Sequence, residues 1–194
     1  MLNFCSLFSG SDGNCLFVQS SNTNILVDAG VSGKKIEQAL NSINIPIESI
    51  DGILVTHEHI DHIRSLGTIS KKFNIPVYAN TKTWSAMPEQ KKKILESNQK
   101  IFSAENEFEI GNFKIFPFSI PHDAIDPCGF NISCEGKKIS IATDLGHISP
   151  RILELLKNSS FILLESNYDK EVLRCCSYPY SLKKRIDGPN RAFI

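Results

Sequence analysis

Gly52-Ile53-Leu54-Val55-Thr56-His57-Glu58-His59-Ile60-Asp61-His62 is the stretch on which the reading of this chain turns. Its first half, Gly52 to Thr56, is an apolar run without alternation, the pattern of a strand covered on both faces. Its second half gathers three of the chain's five histidines into six residues. His57 and His59 alternate by two, so an extended loop turns both imidazoles the same way, while Asp61 and His62 open a following helix and face back toward the same space. Imidazoles with a carboxylate suit zinc, manganese or iron. The bland alternative is a solvated polar loop at a strand end, and so dense a run of ligand-type side chains argues against it.

Outward from that stretch, the chain alternates sheet and helix. Leu2 to Phe8, Cys15 to Gln19 and Asn24 to Val27 are β-prone runs separated by Gly, Ser and Asn clusters, an opening meander. Ser32 to Ile43 sets Ile36, Ala39, Leu40 and Ile43 at helical spacing behind Ser32 as a cap. After the histidines come a helix from about Ile60 to Phe73, a strand at Pro76 to Ala79, and a lysine-rich, partly helical stretch from Lys82 to Leu95 that restarts at Pro88. Glu107 to Ile110, Phe113 to Ile120, Phe130 to Ser133 and Lys138 to Ala142 read as strands, Pro150 to Lys157 as a helix, and Phe161 to Leu164 as another buried strand. No linker divides these runs. The expectation is one α/β domain over residues 1–194, with two sheets face to face and helices outside.

Composition narrows the function classes. Lys plus Arg number 21 and Asp plus Glu number 21, so the chain as a whole is not drawn to polyanions, and nucleic-acid binding needs a local basic patch. Lys34-Lys35, Lys71-Lys72, Lys91-Lys92-Lys93, Lys137-Lys138 and Lys183-Lys184-Arg185 are the candidate runs; such runs are usually solvated faces, and any that line a cleft would make salt-sensitive phosphate contacts. No apolar run approaches the ~18 residues that span a bilayer. The start, Met1 to Phe8, lacks a basic region and a long apolar stretch, so a cytoplasmic protein with no membrane partner is expected. The cysteines (Cys5, Cys15, Cys128, Cys134, Cys175, Cys176) form no Cys-x-x-Cys and read as reduced, buried thiols.

Thr56-His57-Glu58-His59-Ile60-Asp61-His62, placed after a strand, resembles the metallo-β-lactamase superfamily. Ile120-Pro121-His122-Asp123 and Ala142-Thr143-Asp144-Leu145-Gly146 fall where that superfamily carries a further histidine and a bridging aspartate. Ser9-Gly10-Ser11-Asp12-Gly13-Asn14, Leu164-Glu165-Ser166-Asn167-Tyr168-Asp169 and Tyr178-Pro179-Tyr180-Ser181-Leu182-Lys183-Lys184-Arg185-Ile186 resemble one branch of it, the WalJ (YycJ) exonuclease-like proteins. The resemblance spans nearly the whole chain and implies a four-layer αβ/βα sandwich. It implies two divalent metals, zinc or manganese: one on His57, His59 and His122, the other on Asp61 and His62, with Asp144 bridging. Two such ions would activate water against a phosphodiester. Asp61 would also orient that water or take its proton.

Two readings of the Ser9 to Asn14 loop stand side by side: a phosphate cradle using Ser11 and Asn14, or a tight turn in which Asp-Gly and Gly-Asn supply left-handed conformations. Asn167 reaches the same cleft or starts a helix. Tyr168 stands where the branch more often has histidine, and His147 is expected to be an exposed loop residue. The branch also carries a late histidine after an Asn-Arg pair; here Asn190-Arg191 leads to Ala192-Phe193-Ile194, which reads as a C-terminally truncated member whose second metal is more weakly held. The implied function is a metal-dependent phosphodiesterase, most like a DNA 5′ exonuclease with DNA as its substrate and a role in repair. The alternatives are a hydrolase of small esters, thioesters or cyclic phosphodiesters, or a non-catalytic metal-binding protein. β-Lactamase activity is disfavoured by the reduced-cysteine reading.

Overall fold

The computed structural model describes residues 1–164, 170–180 and 183. β1 (Asn3–Phe8), β2 (Cys15–Gln19) and β3 (Asn24–Val27) form the opening antiparallel meander. α1 (Gly33–Ser42) follows, with the Ser32 hydroxyl accepting from Lys35 N at its start. β4 (Gly52–Leu54), β5 (Val77–Asn80) and β6 (Gln99–Phe102) then join β3 in parallel, completing a six-stranded sheet in the order β1-β2-β3-β4-β5-β6. Between them lie α2 (Ile60–Ile63), α3 (Leu66–Phe73), α4 (Thr81–Ala86) and α5 (Pro88–Lys91). The second sheet runs β11-β10-β9-β8-β7, built from β7 (Phe108–Ile110), β8 (Phe113–Ser119), β9 (Cys128–Cys134), β10 (Lys137–Ala142) and β11 (Phe161–Leu164). α6 (Pro150–Leu156) precedes β11, and α7 (Lys170–Cys175) follows it.

Strand alternation sorts the apolar side chains into layers. Leu16, Val18, Ile25, Val27 and Leu54 meet Phe113, Ile115, Phe130, Ile132, Ile139 and Ile141 between the two sheets. The other faces of the same strands carry Phe17, Leu26, Ile53 and Val55, which pack under Ile36 and Leu40 of α1, Leu66 and Ile69 of α3, and Trp84 of α4. On the far side, Phe118 and Ala142 meet Ile152 and Leu156 of α6. The four-layer sandwich expected from sequence is the observed architecture.

Four local readings need correction. The expected helix from Ile60 to Phe73 breaks into α2 and α3, because the segment after β3 captures the turn between them. Ala29 N donates to His62 O (2.7 Å), and Ser65 N and its hydroxyl both donate to Ala29 O (3.0 and 3.2 Å). β6 was not foreseen; it is an edge strand whose Ile101 is 66% exposed, so no buried run announces it. β11 is not buried: Phe161, Ile162 and Leu164 are 44, 43 and 38% exposed. An apolar run suggests cover on both faces, yet among the described residues this strand pairs only with β10, and one ring, Phe4, stacks on Phe161 at 4.9 Å. The thiols are free as expected, but Cys175 is exposed and Cys5 and Cys176 are half-buried; Cys15, Cys128 and Cys134 are buried.

Several lysines have local duties. Lys72 pairs with Glu37 (3.2 Å), Lys92 with Glu89 (2.8 Å) and Lys157 with Glu154 (2.6 Å), all on the surface. Lys138 Nζ donates to the Leu155 and Lys157 carbonyls (2.9 and 2.6 Å), satisfying the open end of α6. No helix among the described residues is long and apolar enough to cross a membrane.

Candidate metal centre

His57, His59, Asp61, His62, His122, Asp144 and Asn14 sit together at one edge of the sandwich. β4 delivers Thr56 to His62, β8 delivers His122, β10 delivers Asp144, and the loops around β2 and β3 deliver Asn14 and Asp28. The two sheets are tied at this edge by Cys128 N donating to Thr56 O (3.1 Å), and the loops carrying His122 and Asp144 by Gly146 N donating to Pro121 O (2.8 Å).

Three imidazoles converge. His57 Nε2 lies 3.1 Å from His59 Nδ1, and His122 Nε2 lies 3.2 Å from both. Those separations approach the ~3.3 Å edge of a tetrahedron whose nitrogens sit 2.0–2.1 Å from a central zinc, so the donor set fits a divalent ion. Beside it, His62 Nε2 is 3.0 Å from Asp144 Oδ2 and 3.5 Å from Asp61 Oδ2. The ligand atoms of His57, His62 and Asp144 all lie within 4.8 Å of one another, so His57 belongs to two adjoining groups of donors. Asp144 adopts a left-handed backbone (φ 56°), which aspartate tolerates.

Hydrogen bonds fix the tautomers. The Thr56 hydroxyl gives its proton to Asp28 Oδ2 (2.8 Å), so it can only accept from His57 Nδ1 at 2.9 Å, leaving the His57 Nε2 lone pair aimed into the triad. His62 Nδ1–H donates to Asp28 Oδ2 (2.8 Å), which turns Nε2 toward Asp144. Asp28 is 2% exposed, has φ 64°, and also accepts from Thr56 N (2.9 Å). It was missed at the level of sequence. The signal was there: a lone carboxylate in Asp28-Ala29-Gly30, directly after the apolar Ile25-Leu26-Val27.

Protonation follows from these surroundings. Burial, reinforced by the neighbouring His62, His122 and His59, holds the His57 pKa well below its ordinary 6.5. Burial also lowers that of His122, against the pull of Asp144. Burial opposes charge on His62 as well, but the charge of Asp28 and the hydrogen bonds to Asp144, Asp28 and Asp61 raise its pKa well above 6.5. For Asp61, burial would raise the pKa, yet the hydrogen bond to His62 and its charge bring it below the ordinary carboxylate value.

At pH 7 the imidazoles respond oppositely to a bound cation. His57 and His122 are already neutral and have no proton to lose, whereas a cation at His62 Nε2 must displace one. Calorimetric metal titration in buffers of different ionisation enthalpy is expected to show at least one proton released with the second equivalent, the one that leaves His62 Nε2. Release confined to the first equivalent would contradict the assignment.

The remaining candidates separate. Asn14 Oδ1 accepts from Gly10 N (3.0 Å), and its Nδ2 donates to Gly10 O (3.2 Å) while standing 3.1 Å from His62 Nε2 and 3.5 Å from Asp61 Oδ2. Gly13 N donates to Gly10 O (3.0 Å), closing a turn, and Asn14 N donates to Asp61 O (2.7 Å). Asn14 thus reaches the centre, whereas Ser11 is exposed at the tip of that turn. His147 is exposed as expected. Asn167 and Tyr168, like the Asn190-Arg191 pair, lie outside the described residues.

Residues 9–183 match the metallo-beta-lactamase superfamily. The chain is 40% identical over 185 residues to exodeoxyribonuclease YycJ of Bacillus anthracis, covering 95% of this chain and 70% of that protein. It is 40% identical over 182 residues to exodeoxyribonuclease WalJ of Streptococcus pneumoniae, covering 93% and 68%. Among solved structures, the metallo-beta-lactamase fold protein YhfI of Bacillus subtilis superposes with a TM-score of 0.71 at 17% identity, over 87% of this chain and 72% of that one. With its histidines and aspartates gathered at one edge of a four-layer sandwich, and with these likenesses over nearly its whole length, this chain belongs to the metallo-beta-lactamase superfamily of hydrolases.

Proposed function

We propose that this hydrolase cleaves phosphodiester bonds of DNA, removing nucleotides from a 5′ end. The observation that carries the reading is the convergence of His57, His59 and His122 beside His62 and Asp144, in a chain whose 40%-identical relatives are named exodeoxyribonucleases. His57, His59 and His122 would hold one ion, Asp61 and His62 a second, with Asp144 shared. Zinc and manganese both suit imidazole with carboxylate. Such ions supply positive charge against the scissile phosphate and make water a nucleophile at neutral pH.

The chain's own groups do the remaining work. Thr56 and Asp28 keep the imidazole lone pairs pointed inward. Asp61, half-buried and kept ionised beside His62, would orient the attacking water and take its proton. Asn14, whose Nδ2 stands beside His62 Nε2 and Asp61 Oδ2, would contact the substrate next to the metal centre, with Ser11 and Asn167 as further substrate contacts.

A 3′-labelled DNA strand, single or paired, offered with zinc or manganese, tests this: 5′ ends should shorten stepwise, yielding mononucleotides. Chelation should stop the reaction, and His122→Ala should slow it by more than ~100-fold, beyond the 10–100-fold typical of losing an outer-shell contact. Metal-loaded protein that leaves every such strand intact, or cleavage that persists through chelation, would overturn the reading.

A further inference from the structure

Glu58 stands between two of the converging histidines and points elsewhere. Its Oε1 accepts a hydrogen bond from Ile125 N at 2.8 Å, joining segments 67 residues apart. Ile125 is at the tip of the loop that leaves β8 and returns in β9, and His122 is in that loop. At its base the loop is closed by Ile120 N donating to Pro127 O (3.2 Å) and Cys128 N donating to Thr56 O (3.1 Å). Along one side, Asn80 Nδ2 donates to Asp126 O (2.7 Å), with Lys82 Nζ 3.7 Å from the Asp126 carboxylate. Glu58 is the side chain that links the tip directly to the segment carrying His57 and His59.

A second observation bears on why this side chain is a carboxylate. Glu58 Oε2 is buried, with no hydrogen-bond partner among the described residues. A buried carboxylate oxygen left unpaired is unfavourable, and a neutral amide could accept from Ile125 N equally well in geometry. The bond to a carboxylate is the stronger one. The three nitrogens meet when the His122 loop is held against the segment carrying His57 and His59, and the bond from Ile125 N to Glu58 Oε1 is a side-chain tie that holds it there.

We propose that Glu58 is a positioning residue: through the Ile125 N–H it sets His122 against His57 and His59 and so sets the affinity of the three-imidazole group for a divalent metal. This rests on the metal-centre reading above. The test pairs hydrogen exchange at the Ile125 amide of metal-free protein with zinc affinity measured against a chromophoric chelator. The protein is compared with its Glu58→Ala, Glu58→Asp and Glu58→Gln variants.

Glu58→Ala should lose Ile125 protection and bind zinc ~10–100-fold more weakly, the usual effect of removing an outer partner. Glu58→Asp, one methylene too short, should behave alike and carries the test if the alanine variant does not fold. Glu58→Gln keeps an acceptor and should retain protection with most of the affinity. Unchanged zinc affinity in Glu58→Ala or Glu58→Asp, with Ile125 protection lost, would overturn the inference alone. A parent protein that binds no zinc would overturn the metal-centre reading and this inference with it.

Discussion

Adding one methyl group at Gly30 is expected to lower stability by at least ~3 kcal/mol and to abolish metal retention, because no neighbouring side chain can rotate away to admit it. A Cβ there would lie 1.5 Å from Asp61 O, 2.3 Å from Asp61 C and 2.6 Å from Asn14 N, all backbone atoms. Gly30 is where three segments touch: its N–H donates to Asn14 O (2.8 Å), while Asn14 N donates to Asp61 O (2.7 Å). Relief therefore requires moving the backbone that carries Asp61 and His62, and with it their side chains. Denaturant unfolding and metal content of Gly30→Ala check this, with Gly33→Ala as comparison. At Gly33 the nearest atom to a Cβ is a flexible Ile69 methylene at 3.2 Å, so its change should stay within ~1 kcal/mol. Equal losses in the two variants would contradict this account of the junction.

Asp28 carries the second large effect. Its carboxylate, 2% exposed, accepts from Thr56 N, the Thr56 hydroxyl and His62 Nδ1. Asp28→Ala leaves a buried imidazole whose charge that carboxylate supports, and should cost about 3–5 kcal/mol, as breaking one side of a buried pair does. Asp28→Asn is the more informative variant. Asparagine tolerates the left-handed backbone at φ 64°, and its oxygen can still accept from Thr56 N, so the fold should survive. Its amide nitrogen, however, would face His62 Nδ1 and favour the tautomer with the proton on Nε2, withdrawing the lone pair that points at Asp144. The Thr56 hydroxyl, no longer donating to Oδ2, would be free to donate to His57 Nδ1 as well, so affinity should fall ~10–100-fold at both groups of donors. Metal titration of Asp28→Asn decides it; undiminished binding of both ions would show that Asp28 does not set the tautomer.

How much of this was legible in the sequence depended on how local the signal was. The His57 to His62 run and its preceding strand were legible because ligands and scaffold are contiguous. His122 and Asp144 were legible only through a family resemblance, since nothing around a single histidine or a Thr-Asp-Leu-Gly turn reveals what faces it across the fold. Asp28 escaped because its partners lie 28 and 34 residues away and a carboxylate after a strand usually marks a turn. The Ser9 to Asn14 loop was ambiguous between cradle and turn; the structure shows a turn closed by Gly13 N on Gly10 O, which leaves a cradle role open to test, and adds a tie from Asn14 to Asp61 that no local pattern encodes. The break between α2 and α3 was hidden for the same reason, because Ala29, far along the chain, captures its backbone groups. The exposure of β11 shows the limit of reading burial from composition: Phe161-Ile162-Leu163-Leu164 has the residues of a central strand and, among the described residues, the pairing of an edge.

On the function proposed above, His57, His59, Asp61, His62, His122 and Asp144 hold two metal ions at this edge of the sandwich. Elemental analysis of freshly purified protein, expressed per chain and set beside Asp144→Ala, tests it most directly. Two ions per chain are expected, zinc or manganese, the second held more weakly than the first, and both falling in the variant because the shared carboxylate is gone. A protein that retains no metal through purification and takes up none on titration would contradict the account.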